Sequence, residues 1–90
     1  MSTENVDKIT AAQSRAARGL LEMTQPKLAL AAGLGLSTIV DFERSRREVS
    51  REALVAIRVA FERAGVEFIE ENGGGPGVRL KKSVMGKARK

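Results

Sequence analysis

The chain has 90 residues, a formal net charge of +5 at neutral pH, and no cysteine or histidine. A chain this short forms one small domain with a thin core, and neither a disulfide nor a structural zinc site is available to reinforce it, so we expect dimerisation. Tyrosine is missing as well, which removes most general acids, bases and nucleophiles and predicts a protein that is not an enzyme and holds no metal or cofactor.

The positive charge is concentrated near the C-terminus. Six of the sixteen basic residues lie within residues 79–90, where no acid occurs, so residues 1–78 carry ten basic and eleven acidic side chains. Such a basic end is either solvated or bound to nucleic acid or an anionic surface. The polar start and the short, glycine-interrupted apolar runs predict no targeting segment, no membrane partner and a cytoplasmic location.

A first helix is predicted after a flexible lead-in over residues 1–9. It begins at a capping box formed by Thr10 and Gln13 and runs to about residue 23. Its apolar side, made of Ala16, Ala17, Leu20 and Met23, has little bulk, which predicts that another helix packs close to it.

Three further helices follow at short intervals. The second begins at the N-cap Thr24 and ends at Gly33, the third covers residues 36–44, and the fourth extends from the cap Ser50 to a stop at Gly65. Their spacing predicts a set of inward-facing apolar residues, namely Leu28, Ala29, Ala31, Ala32, Ile39, Phe42, Leu54, Ile57, Ala60, Phe61 and Ala64.

The remainder, residues 66–81, predicts two strands joined by the flexible connection EENGGGPG. An isolated strand pair is marginal in water, so it must pack on the helices or pair with a second chain. Two valines on the fourth helix lie among charges, and they are either scattered exposed residues or a dimer contact. We interpret the following residues as a dimer interface: Val55, Val59, Val66, Phe68, Val78 and Leu80. Residues 82–90 are expected to form a basic, disordered tail.

The second and third helices are short and are joined by a tight turn containing Gly33 and Gly35. This arrangement predicts a helix-turn-helix over a domain spanning residues 10–65. The break lets the third helix project from the surface, where it fits the major groove of DNA, about 12 Å wide.

The stretch RAARGLLEMTQPKLALAAGLGLSTIVDFERSRREVS resembles the Cro/CI-type (XRE-like) helix-turn-helix family of small bacterial and phage transcriptional regulators. The resemblance rests on the arginine near the end of the first helix, Thr-Gln opening the second, Ala-Gly at the turn, Ser-Thr-Ile in the third and Phe-Glu-Arg closing it. It implies a mostly α, lambda-repressor-like bundle of about four helices with a C-terminal two-stranded β extension.

The resemblance also implies that a homodimer binds double-stranded operator DNA, with no small-molecule effector evident. The residues predicted to read base edges are Leu36, Ser37, Thr38, Val40 and Asp41. Those predicted to contact phosphates are Gln25, Lys27, Arg44, Arg46 and Arg47. Arg18 and Glu43 match positions that form an internal ion pair between the first and third helices.

The predicted reading surface departs from the family pattern in its side chains. Leu36 can make only apolar contact, for example with a thymine methyl, and Asp41 can accept from cytosine N4 or pair with Arg44 one turn on. Gly35 replaces the usual Ser or Thr cap, and Ser45 replaces the glycine that ends the helix. Two other hypotheses therefore stay open: an antitoxin-like or anti-activator protein-interaction module, and an architectural DNA binder without sequence preference.

Overall fold

The computed structural model describes residues 8–81. Four helices precede one antiparallel strand pair, in the order α1 (Ala11–Leu21), α2 (Gln25–Ala32), α3 (Leu36–Glu43), α4 (Arg51–Arg63), β1 (Val66–Ile69) and β2 (Gly77–Leu80). The predicted class, mostly α with four helices and a C-terminal strand pair, is confirmed. Most of the predicted lead-in (residues 1–7) and the predicted tail (82–90) lie outside the described residues.

Three helices begin where the sequence predicts, because a side chain there satisfies an exposed backbone donor. Thr10, Thr24 and Ser50 each accept a hydrogen bond from the backbone N–H three residues on. The capping box of α1 is complete, since the Gln13 side chain accepts from the Thr10 N–H at 2.9 Å. The α3 cap, Gly35, offers no such side chain.

The first two helices end at a left-handed C-cap, Glu22 at φ 54° and Gly33 at φ 72°, whereas α3 has the C-cap Arg44 and then the left-handed Ser45 at φ 56°. After α3 the N–H of Ser45 donates to the carbonyl of Phe42 at 3.0 Å, and that of Arg46 to Asp41 at 2.9 Å. This pair of bonds is a Schellman motif, built here on serine where glycine is the usual residue.

We predict that Ser45→Gly raises the free energy of unfolding by about 0.5–1 kcal/mol, because it removes the Cβ that penalises positive φ. Denaturant unfolding measures the change. The control is Ser37→Gly, the same substitution at an exposed position inside α3, which should be neutral or destabilising by up to about 1 kcal/mol. A destabilised Ser45→Gly protein would show that the serine side chain stabilises the turn.

One core includes both the helices and the strand pair. Its buried apolar residues are Ile9, Ala17, Leu28, Ala29, Ile39, Ile57, Ala60, Phe61 and Val66. The rings of Phe61 and Phe68 meet edge-on at 6.0 Å, and the Gln13 amide donates to the Gly77 carbonyl at 3.0 Å. The predicted boundary between residues 10–65 and 66–81 therefore does not separate two cores.

Three predictions about packing are corrected. Ile9 is only 5% exposed, so it belongs to the core and not to the lead-in. Val66 is fully buried inside its own protomer and therefore cannot contact a second chain, as the dimer interpretation required. Of the residues predicted on the apolar sides of the first two helices, Ala17 is fully buried as expected, whereas Ala16, Leu20 and Ala31 are exposed.

The prediction that the apolar residues of the two strands share one face is confirmed. Val66 lies opposite Leu80 and Phe68 opposite Val78, and the strand pair packs against α1 and α4. Across residues 8–81, none of the helices combines the length and apolar character needed to cross a bilayer.

Candidate nucleic-acid interface

The α3 helix presents one face to solvent and buries the other. Ile39 is fully buried and fixes the helix from behind. On the outer side Leu36 is 46% exposed and Ser37 is exposed, whereas Thr38 and Val40 are half-buried. Of the residues predicted to read bases, those in the first turn of α3 are therefore the most accessible.

The last residue of α3 anchors the helix through a buried carboxylate. The Glu43 side chain is 1% exposed and lies 2.8 Å from the Arg18 guanidinium, which confirms the predicted ion pair. The Ser14 hydroxyl also donates to this carboxylate, and Gln25 Nε2 donates to it at 3.0 Å. Because these partners belong to α1 and α2, one side chain ties three helices together.

Burial raises the pKa of the Glu43 carboxyl, but the hydrogen bonds from Arg18, Ser14 and Gln25 lower it by more, so the net pKa lies below the ordinary value of 4.5. Glu43 is therefore ionised at neutral pH, and its charge is compensated by donors rather than by water. A compensated buried charge of this kind fixes the orientation of α3, because any other orientation leaves the charge without partners.

Two residues of this cluster were missed by the sequence analysis. Ser14 contributes its hydroxyl, and Arg15 donates from its guanidinium to the backbone carbonyl of Glu43. The available signal was the position of Ser14 one turn before Arg18 on the same face of a helix. Gln25, predicted to contact a phosphate, directs an amide N–H to Glu43 instead, and its phosphate contact stays a prediction.

Asp41 is paired with arginines that follow the helix. Its Oδ2 accepts from Arg47 Nε at 3.0 Å, and Arg46 lies at 3.9 Å from Oδ1. The predicted local pair with Arg44 is wrong, because the left-handed turn at Ser45 reverses the chain and brings the later arginines back beside α3. Within residues 8–81, Arg44 makes no ion pair.

Exposed basic side chains follow α3 directly, and a further one lies near the start of α2. Arg46 and Arg47 are 58% and 54% exposed, and Lys27 and Arg44 are exposed as well. The exposed first turn of α3 itself carries Leu36 and Ser37, neither of which is a long hydrogen-bond donor. The arrangement can therefore attract an anionic backbone while offering an apolar and hydroxyl surface to whatever lies between the cations.

The remaining residues of the predicted dimer interface are only partly accessible. Val55 and Val59 are half-buried on α4, while Phe68, Val78 and Leu80 are half-buried and pack against the core of their own protomer. In the described range, no group of three or more carboxylate, histidine or cysteine side chains could hold a metal ion. The sequence matches no known family model and none of the curated proteins with which it was compared.

Proposed function

We propose that the protein is a sequence-specific DNA-binding regulator of transcription that inserts α3 into the major groove. The observation that carries this proposal is an exposed turn of α3 on a helix that Glu43 holds to its two neighbours. Three exposed cations, Arg44, Arg46 and Arg47, follow this helix directly, and Lys27 is exposed near the start of α2. An α-helix with its side chains is about 10–12 Å across, which matches the width of the major groove, about 12 Å.

The basic and the apolar side chains have different roles in the proposed binding. The exposed arginines and Lys27 neutralise phosphates and give affinity for any sequence. Leu36 and Ser37, at the exposed start of α3, approach the base edges and make the protein prefer particular DNA sequences. Asp41 acts indirectly, because its carboxylate holds Arg47 beside the helix. The basic residues of 82–90 add further salt-sensitive affinity.

Leu36 supports a specific expectation about the operator. A leucine side chain has no donor or acceptor, so its contact with a base pair is with the thymine C5-methyl group. We expect that replacing one contacted thymine with uracil weakens binding about three- to tenfold, the value of one buried methyl group. Fluorescence anisotropy with single thymine-to-uracil duplexes measures the loss.

The matched control is Leu36→Ala, which should bind thymine and uracil duplexes with equal affinity because the contacting side chain is gone. Should the wild-type protein fail to distinguish the two bases at every position of a footprinted site, the assignment of Leu36 to a thymine methyl is wrong, while DNA binding itself stands.

A homodimer completes the proposal, because one eight-residue helix reads too few base pairs for a unique site. Two half-sites about 10 bp apart would match a two-fold axis. Half-buried Val55 and Val59 on α4, together with the strand pair, are the surfaces that we assign to this contact. Sedimentation equilibrium tests it: a monomer at micromolar concentration contradicts the assignment.

Footprinting on DNA around the protein's own gene tests the proposed function. A discrete protected segment supports it, and retardation without a footprint points to an architectural binder. The protein-interaction hypothesis is favoured by the apolar side chains that face solvent, Leu30 at 84% and Leu36 at 46% exposure. Absence of any retardation at low salt contradicts DNA binding and favours a protein partner.

A further inference from the structure

An open groove lies beside α3 and shares one residue, Arg47, with the surface assigned to DNA. It is bounded by the residues before α1, the end of α3, the loop between α3 and α4, and the first turns of α4, and we name it the α3–α4 groove. Its volume is about 560 Å³, within the range of small-molecule sites. Apolar side chains line much of it, namely Ile9, Phe42, Val49 and Leu54.

The charged residues of the α3–α4 groove are mostly basic. Lys8 and Arg47 line it together with a single carboxylate, that of Glu48. Arg51 lines it too but has an interaction of its own, so the excess of positive charge rests on Lys8 and Arg47. A second groove of about 530 Å³, between the residues before α1 and the strand pair, has no such excess, because two glutamates there accompany two basic residues. Charge complementarity therefore favours an anion in the α3–α4 groove and not in its neighbour.

We infer that the α3–α4 groove binds a small amphipathic anion, an alkyl or aryl carboxylate. Its apolar part lies against Phe42, Val49 and Leu54, and its carboxylate pairs with Arg47. Arg47 suits this role because its guanidinium is half exposed and directs only Nε to Asp41, so that its two terminal nitrogens form no hydrogen bond within residues 8–81. A planar guanidinium can hold two carboxylates in this way.

The inferred ligand has a consequence for DNA binding, which rests on the proposed function. Arg47 cannot pair with a bound carboxylate and with a phosphate at the same time without sharing its donors. The ligand therefore weakens DNA binding, and by linkage DNA weakens ligand binding by the same factor. The groove would make the protein responsive to a metabolite of this chemical class.

Fluorescence titration of the full-length protein with 8-anilinonaphthalene-1-sulfonate, an apolar anionic probe, tests the site directly. Decanoate should displace the probe, and uncharged 1-decanol should do so at least about fivefold less effectively, because it lacks the charge that pairs with Arg47. Equal displacement by the two compounds would show that the groove does not select an anion and would overturn the inference.

Val49 allows a matched pair of variants of opposite charge, because it is half-buried in the loop and has no assigned part in DNA binding. Val49→Glu should weaken decanoate binding about fivefold or more, whereas Val49→Lys should preserve or strengthen it. The melting temperature of each variant establishes that it is folded. An identical effect of both substitutions contradicts the role of charge, even if one of the two is poorly stable.

Leu30 provides the control for nonspecific probe binding, since it is the most exposed large apolar residue of residues 8–81. Leu30→Glu should leave the decanoate affinity unchanged. Loss of binding in Leu30→Glu but not in Val49→Glu would place the probe on α2 and overturn the inference. Ligand binding needs no DNA in this assay, so a protein that binds decanoate but retards no DNA refutes the proposed function alone.

Discussion

Arg18→Met is expected to lower the free energy of unfolding by about 3–5 kcal/mol, because it leaves the carboxylate of Glu43 buried without its counter-charge. The methionine keeps much of the packing volume of the arginine stem, so the loss reports mainly on the charge. Replacing both residues, Arg18→Met with Glu43→Met, should be less destabilising than Arg18→Met alone, since no buried charge then remains. Denaturant unfolding of the single and double variants completes the cycle.

A loss below about 1 kcal/mol in Arg18→Met would contradict the expectation, because that is the range of solvent-exposed ion pairs. The exposed ion pair of Glu67 and Arg79 serves as a comparison for the buried pair, because its side chains are 46% and 63% exposed. Arg79→Met should change the stability little. The contrast between the two arginines would therefore separate burial from ion pairing as the cause.

The same carboxylate predicts a dependence of stability on acid. Because the pKa of Glu43 in the folded protein is lowered, its contribution to stability is present above the pKa of the unfolded chain, near 4.5, and is lost as the pH falls through the lower folded value. Glu43→Gln should make the free energy of unfolding depend less on pH in this acidic range. Glu67 also has a lowered pKa but is exposed, so Glu67→Gln should change the pH dependence of stability less than Glu43→Gln does.

The second large expected effect is a loss of affinity for DNA. Arg44→Ala combined with Arg47→Ala should weaken binding to every sequence about 10- to 100-fold near 0.1 M salt, and should reduce the slope of log affinity against log salt by about two. The expected loss is not equally divided, because Arg47→Ala also leaves the Asp41 carboxylate without its closest partner beside the phosphates. Anisotropy titrations at several salt concentrations measure both quantities.

Arg63→Ala combined with Arg79→Ala is the matched control. It removes the same charge from exposed positions near the end of α4 and on β2, and it likewise leaves one carboxylate, that of Glu67, without its arginine. This variant should keep most of the affinity and the salt slope. If both double variants lose equal affinity, binding depends on net charge alone, and the assignment of phosphate contacts to the arginines after α3 is wrong.

The local features of this fold were readable from the sequence because they depend on neighbours a few residues away. The cap at Thr10 and the left-handed stop at Gly33 each involve hydrogen bonds within one or two turns of helix. The shared face of the strands was also predictable, because alternation places Val66 and Phe68 on the same side of the pair. The register was not, since a slip of two residues keeps the same faces. These local features were sufficient to predict the four helices and the strand pair.

The contacts that position the candidate site were decided by tertiary packing. Ser14 and Glu43 are 29 residues apart, and only the crossing of α1 and α3 brings the hydroxyl to the carboxylate. The turn at Ser45 likewise selected Arg47 over Arg44 as the partner of Asp41, and the closing of the core buried Val66. The sequence alone thus determined which segments are helices and which side chains carry charge. Which charges meet was decided by the folded chain, because the distance between groups far apart in sequence depends on how the helices cross.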